Sequence, residues 1–429
     1  MNYKIVKVQE VDAPGYFKNL YKKNFINKSK NYKYQHNEIQ DQYIGYSPKS
    51  FLKIFNEMGN DADIIFWNAE VLQKKWAEEN GISFQNQNWQ TDILLAQLKK
   101  KKPEVLFLQN LSSMSKNIRK DIKKLVPSIK RVVINVGYPG TWQDLSDADL
   151  FFTNSPVLSE RYKYLKPYLI YHSFDHMILN SSSLIGLEKK YELSFVGSLR
   201  FPESRYFFIK RLNESFDLNI WSNLEFNKKF KIEKKEKDNI FSIKQLIVEL
   251  FKSVLKLKII KKLILLINPK KINYKILEFF NLQSLKKQKK ILIPHISTED
   301  IENENFSFNK NKNFSLGVYG LEYFKIIKQS RILVNKHADY AGIIVDNIKM
   351  FEITGIGSCL VTNYGSNLKD IFEEDKEVIT YKNMNEAEDK IKFLMNNPKV
   401  AEEVARNGQK KTLSKHTTNQ RNIEMEGVI

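Results

Sequence analysis

The chain has 429 residues, of which 69 are Lys or Arg and 49 are acidic, for a net charge of +20; 42% are hydrophobic and 12% aromatic. That composition excludes a disordered chain, and the length fits two or three domains better than one. A single cysteine, Cys359, excludes a disulfide scaffold and a four-thiolate zinc site. The opening MNYKIVKVQEVDAPG lacks the apolar core of a secretory signal, and no window offers 18 apolar residues free of charge. The expected setting is the cytoplasm.

An excess of positive charge suggests nucleic acid or an anionic membrane as partner, but its placement matters more than its size. Residues 226–290 hold 19 Lys, no Arg and 5 acidic residues, a net +14, which leaves +6 for the other 364 residues. The basic character therefore belongs to one segment and not to the fold.

From about residue 60, short apolar runs alternate with amphipathic ones. The first run, DIIFWN (63–68), predicts a buried strand, and 70–81 predicts a helix closed by Gly81. A helix at 91–102, a strand at 104–110, a helix beginning at Lys116 and strands at 131–137 and 149–154 follow. A second series starts with a strand at 191–198 that ends in Gly-Ser, then a helix near 203–216 and a strand at 217–223. After a break, a helix at 321–330, a strand at 331–336, a helix at 347–353 and strands at 358–363 and 377–382 follow. The C-terminal end is helical, with Pro398 at a helix start and Gly408 expected just past that helix's end. Continuous Val/Ile/Leu/Phe strands separated by helices predict parallel sheets covered on both faces. The result is two α/β domains, 1–185 and 186–429, joined near 172–190. The second is interrupted by a Lys-rich, mainly helical insertion at 225–314. Within it, apolar residues at near-helical spacing with Lys between them fit either a membrane-surface helix or an insertion packed on its own domain.

The stretch 331–365 carries the most chemistry. A strand leads through a loop into a short helix, whose free N–H groups and positive dipole end suit a diphosphate. Glu352 on that helix can accept two hydrogen bonds from a vicinal ribose diol, and Gly355 and Gly357 break the helix before the next strand. The bland alternatives are that the glycines merely end the helix, that Glu352 is a surface residue and that His337 is structural. Asp61-Ala-Asp63 and Asp147-Ala-Asp149 mimic a metal-binding pair, but both are expected as turns ahead of a strand, the wrong end of a sheet for a ligand. His172 and His176 in HSFDH have metal-compatible spacing without an evident third ligand, so they are expected to line a cleft.

The stretch DNIKMFEITGIGSCLVTN resembles the CgeB-like glycosyltransferases, a family of the two-domain GT-B fold. Their pattern is an Asn, a basic residue, Phe-Glu, then Thr-Gly-x-Gly and an apolar strand. The likeness continues through NLKDIFEEDKEVITYKNMNEAEDKIKFLMNNP and ARNGQKKTLSKHTTNQR, and upstream in ELSFVGSLRFPESR and NAEVLQKKWAEENG. It covers most of the chain except 225–314. It implies two Rossmann-like domains facing across a cleft, with an acceptor on the N-terminal one and a nucleotide-sugar donor on the C-terminal one.

Carried over by position, Glu352 would hold the donor ribose, with Gly355 and Gly357 beside it. Gly197 and Ser198 would sit at the donor cleft, and Arg200 or Arg205 near the diphosphate. Asn335, Lys336 and His337 would face the same crevice, together with Asn347 and Lys349. Lys349 stands where the family usually has Arg, which keeps the charge and loses the bidentate fork. His172 and Asp175 are the acceptor-side candidates, and no catalytic base is named. No cofactor or metal is expected. The expected partners are the donor and a glycan or lipid-linked acceptor, with a peripheral contact to anionic membrane through 226–290 and no nucleic acid. Two other readings compete: a GT-B-fold nucleotide-sugar epimerase, and a non-catalytic basic module binding anionic membrane or nucleic acid.

Overall fold

The computed structural model describes residues 2–11, 16–22, 25–41, 48–110, 114–137, 143–199, 203–222, 313–337, 343–345 and 347–429. The expected Lys-rich insertion, with its amphipathic stretch, lies almost wholly outside them, as does Arg200.

Two parallel six-stranded sheets form the body of the chain. The first contains β1 (Lys4–Gln9), β2 (Asp61–Phe66), β3 (Val105–Gln109), β4 (Arg131–Asn135), β5 (Leu150–Thr153) and β6 (Tyr168–Leu169), in the order β2-β1-β3-β4-β5-β6. Its helices are α1 (Tyr16–Lys22), α2 (Tyr32–Gln40), α3 (Pro48–Glu57), α4 (Glu70–Glu79), α5 (Trp89–Lys101), α6 (Lys116–Leu125) and α7 (Pro156–Arg161). Strand period two sends Val6, Val8, Leu106, Leu108, Val132 and Ile134 to one face, under Leu94, Leu98 and Ile122 of α5 and α6. Ile5, Phe107, Val133 and Phe152 face the other way, against Phe51 and Phe55 of α3.

The second sheet runs β12-β11-β10-β7-β8-β9. Its strands are β7 (Tyr191–Val196), β8 (Leu218–Ser222), β9 (Phe314–Leu316), β10 (Ser330–Asn335), β11 (Cys359–Asn363) and β12 (Ile379–Tyr381). The accompanying helices are α8 (Glu203–Ser215), α9 (Gly320–Gln329), α10 (Lys349–Ile356), α11 (Met384–Asn396), α12 (Pro398–Lys415) and α13 (Thr418–Glu426). Cys359 is fully buried in β11 among apolar neighbours, the environment of a small core residue.

The C-terminal end of the chain ties the two α/β units together. At residue 174 the Phe174 N–H donates to the His416 carbonyl at 2.9 Å, and the Thr418 N–H donates back to the Phe174 carbonyl at 3.0 Å. Beyond that crossing α13 returns to the first sheet. Met425 joins Ile5, Phe51 and Phe107 in its core, and Asn60 Nδ2 donates to Glu426 Oε1 at 2.9 Å.

Three sequence expectations need correction. Gly408 lies inside α12, not beyond its end. A Cβ there would come within 2.4 Å of the Glu377 carbonyl oxygen, so the glycine permits close backbone approach instead of capping the helix. Asp61 and Asp63 are the first and third residues of β2, paired with Lys4 and Lys101, and so belong to a strand and not a turn. The strand count was short by the edge strands β6 and β9 and by β1, which is the neighbour of both β2 and β3. KIVKVQ conceals it because Lys7 interrupts the apolar run, yet Lys7 is 2% exposed, with Nζ 4.7 Å from the centre of the Phe51 ring.

Candidate functional site

Open parallel sheets bind ligands beyond the carboxyl ends of their strands, and several of the sequence candidates converge there in the second sheet. β7 ends at Val196 and leads into Gly197 and Ser198; β10 ends at Asn335 and leads into Lys336 and His337. Between them stands the first turn of α10, carrying Lys349 and Glu352. The helix forms because NIKMFEITGI sets Met350, Phe351, Ile353 and Ile356 into the core over Leu333 and Leu360. Its N-terminal turn has no side-chain cap, but the Met350, Phe351 and Glu352 N–H groups already donate to the Asn347 and Ile348 carbonyls at 3.3, 3.0 and 3.1 Å, so the backbone itself takes up most of the donors at this helix start.

Hydrogen bonds hold the group together. The Lys349 ammonium donates to the Val196 carbonyl and lies 5.4 Å from the centre of the Phe195 ring. A Cβ on residue 197 would come within 2.0 Å of that nitrogen, so glycine at 197 makes room for the ammonium. Arg205 on α8 donates through Nε to the Lys336 carbonyl at 2.9 Å and through NH1 to the Ser198 carbonyl at 3.1 Å, bridging the ends of β10 and β7. Asn347 Nδ2 donates to Asn335 Oδ1 at 3.0 Å, and Asn335 Nδ2 donates to Thr362 Oγ1 at 3.0 Å. His337 Nδ1 lies 3.0 Å from Asn363 Oδ1, an acceptor, so Nδ1 carries the proton and Nε2 faces the Asn347 N–H at 3.5 Å.

Burial sets the charges of this site. It pushes the Lys349 ammonium down to about 7, helped by Arg205 and opposed by Glu352. Burial pushes His337 down to about 3, so the imidazole is neutral. The Glu352 carboxyl is raised by burial, against the opposing pull of Tyr323 and Lys349. Tyr323, on α9, donates its hydroxyl to Glu352 Oε2 at 2.7 Å, leaving Oε1 without a donor among the described residues.

The remaining candidates are placed elsewhere. Gly355 packs under the interdomain linker, where a Cβ would come within 2.3 Å of the Phe174 ring. Gly357 is at the far end of α10, with φ +87° in the left-handed region, and closes the helix there. Asp175 caps Met177 N at 3.1 Å and accepts from Ser50 Oγ of α3 at 3.1 Å, joining linker to first sheet. Burial pushes the nearby His172 down to about 3. Tyr323 went unnoticed in the sequence: a tyrosine on an amphipathic helix gives no sign of a carboxylate partner 29 residues later.

Residues 282–427 match a family model described as glycosyl transferase-like, a match that begins inside the Lys-rich stretch. No curated protein matches the sequence significantly. Among solved structures, HepE of Anabaena in complex with UDP-glucose is similar at TM-score 0.54 and 10% identity, each chain covered in full. Sucrose-phosphate synthase from Thermosynechococcus elongatus is similar at TM-score 0.50 and 9% identity, over 100% of this chain and 98% of that one. A glycosyltransferase from Rickettsia africae is similar at TM-score 0.51 and 8% identity, over 100% and 97%. The fold is GT-B. No helix among the described residues is long and apolar enough to cross a membrane.

Proposed function

We propose that this chain transfers a sugar from a nucleotide-sugar donor to a glycan, a lipid-linked glycan or a comparable acceptor, without a metal ion. The observation that carries the reading is the Glu352 carboxylate. It is half-buried beside Lys349 on the first turn of α10, with one oxygen held by Tyr323 and the other lacking a donor among the described residues. A vicinal ribose diol supplies the donors such an acceptor lacks. Lys349, Arg205 and the positive dipole end of α10 then face the diphosphate and stabilise it as it leaves. The glycosyl transferase-like match over 282–427 spans this same half, and the UDP-glucose held by HepE is the kind of donor that the reading requires. The acceptor would enter from the first sheet, where His172 and Asp175 remain the candidates. The Lys-rich 226–290 segment would bring the enzyme to an anionic membrane if the acceptor is lipid-linked.

The test is calorimetric titration with UDP, GDP, ADP and CDP. Glu352→Gln keeps the size and one acceptor but turns a charge-assisted hydrogen bond into a neutral one, a loss of about 1–2 kcal/mol, or roughly 5- to 30-fold in affinity. Glu352→Ala should lose more, with the thermal transition unchanged. Sugar transfer or donor hydrolysis should persist in EDTA. Unchanged nucleotide affinity in folded Glu352→Ala overturns the donor site, and activity restored only by Mn²⁺ or Mg²⁺ overturns metal independence.

A further inference from the structure

The hydrogen bond from Tyr323 to Glu352 joins two helices that approach the site from different directions in the sequence. We propose that Tyr323 is a positioning residue for the donor ribose: its hydroxyl fixes the Glu352 carboxylate so that Oε1 points at the ligand. The proposal rests on the donor-site reading above. A glutamate near the start of a helix has free side-chain torsions, and holding one oxygen at 2.7 Å from a phenol removes most of that freedom before the ligand arrives.

The phenol is suited to the task. Burial and the adjacent carboxylate push its ionisation well above the ordinary tyrosine range, so it stays a donor at every working pH. It hydrogen-bonds the charged form of Glu352 and pulls against the burial that raises that carboxyl. Its ring is held in place by Phe324, with ring centres 5.1 Å apart, and one turn earlier on the same chain Tyr319 meets Tyr16 of α1 at 5.7 Å. The first domain thus touches the helix that carries the donor to Glu352. The charged groups around this carboxylate are Lys349 on its own helix and, behind Lys349, Arg205 of α8. Neither replaces a neutral donor, since both are committed to carbonyls at the ends of β7 and β10.

The experiment measures affinity for whichever of UDP, GDP, ADP and CDP binds wild type most tightly, by calorimetry from pH 5 to pH 8. Wild type, Tyr323→Phe and Glu352→Gln are compared. Ionisation of the ligand's own phosphate is common to all three and cancels between them. Tyr323→Phe should weaken binding roughly 5- to 20-fold at pH 7.5. It should also move the acid limb of the profile to higher pH, because the carboxylate has lost the bond that favours its charge. Glu352→Gln should remove that limb.

Weaker binding with an unmoved acid limb would mean that Tyr323 acts through shape or touches the ligand itself, and overturns the proposal. Unchanged affinity and profile in Tyr323→Phe overturn it too, and leave the Glu352 reading standing if Glu352→Gln still binds weakly. If Glu352→Gln binds as wild type does, the donor-site reading fails first. Should Tyr323→Phe fold poorly, Tyr323→Trp supplies the second variant: an indole N–H in place of the hydroxyl should restore part of the limb's position.

Discussion

Arg119→Ala is expected to destabilise the first domain by about 3–5 kcal/mol, the cost of breaking a buried ion pair from one side. Arg119 is 1% exposed and engages Asp147 through both arms of the guanidinium, Nε to Oδ2 at 2.8 Å and NH2 to Oδ1 at 2.7 Å. Its remaining hydrogens go to the Met114 carbonyl at 2.8 Å, the Asp144 carbonyl at 2.5 Å and Gln143 Oε1 at 3.4 Å. Truncation therefore strands a buried carboxylate and two carbonyls, and releases the loop that leads into β5. For a domain of this size the midpoint should fall by roughly 6–20 °C. Arg119→Met should cost less only when combined with Asp147→Leu, because the pair's desolvation penalty then disappears with its attraction. Nucleotide affinity should stay at the wild-type level in the folded fraction, since the pair lies in the sheet opposite Glu352. A midpoint within 2 °C of wild type would remove the structural assignment of Asp147.

That assignment explains why the two Asp-Ala-Asp pairs mislead. Both have the spacing of a metal site, and both lie at the amino ends of strands, where Asp63 meets Lys101, Asp147 meets Arg119 and Asp149 meets Lys123. Their place at the amino end of a strand was visible in the sequence, but not that Asp61 and Asp63 belong to β2 itself. Their ion-pair partners, 26 to 38 residues away, were not.

The same division runs through the fold. Strands of unbroken Val, Ile, Leu and Phe were legible because burial on both faces demands them, so β3, β4, β7, β10 and β11 fall within two residues of expectation. β1 was hidden by a lysine whose ammonium is buried over aromatic rings, and the return of α13 to the first sheet is a tertiary fact without local signature. In the site, Glu352 stood out as an acid on an otherwise apolar helix between strands. The glycines stood out as well, but the reason for Gly355 is the Phe174 ring, 181 positions away in the chain. Tyr323 lacked any such contrast, because an exposed-face tyrosine and a positioning tyrosine read alike.

Acidification should unfold the protein well before its carboxylates are protonated, and four histidines held neutral by burial set the window, His36 being lowered along with the three that follow. Burial pushes His172 and His337 down to about 3 and His416 down to about 4. Each is neutral when folded and free to protonate near 6.5 when unfolded, so the unfolded chain binds more protons. The stability that each contributes is complete above pH 6.5 and drains as pH falls toward the folded value, about 2 kcal/mol apiece by pH 5. The lysines act in the same direction at higher pH: Lys7 and Lys349, pushed down to about 7, make the fold gain stability between pH 7 and their unfolded value near 10.5. Glu352, raised by burial, opposes this only near the bottom of the range. His416 has the clearest geometry. Its Nε2 donates to the Ile371 carbonyl at 3.0 Å and its Nδ1 accepts from Arg421 NH2 at 2.7 Å, at the point where the chain crosses between the two sheets. A proton on Nδ1 would face that guanidinium directly, so acid should loosen the crossing as well as the core. Thermal melts followed by tryptophan fluorescence should show a midpoint that falls steeply from pH 6.5 to pH 5 and changes little between pH 6.5 and pH 7. His416→Gln should start lower at pH 7 and lose less on acidification, since one of the four proton sinks is gone. A midpoint flat from pH 7 to pH 5 in wild type would mean that these imidazoles are solvated, and would remove the electrostatic account of the crossing.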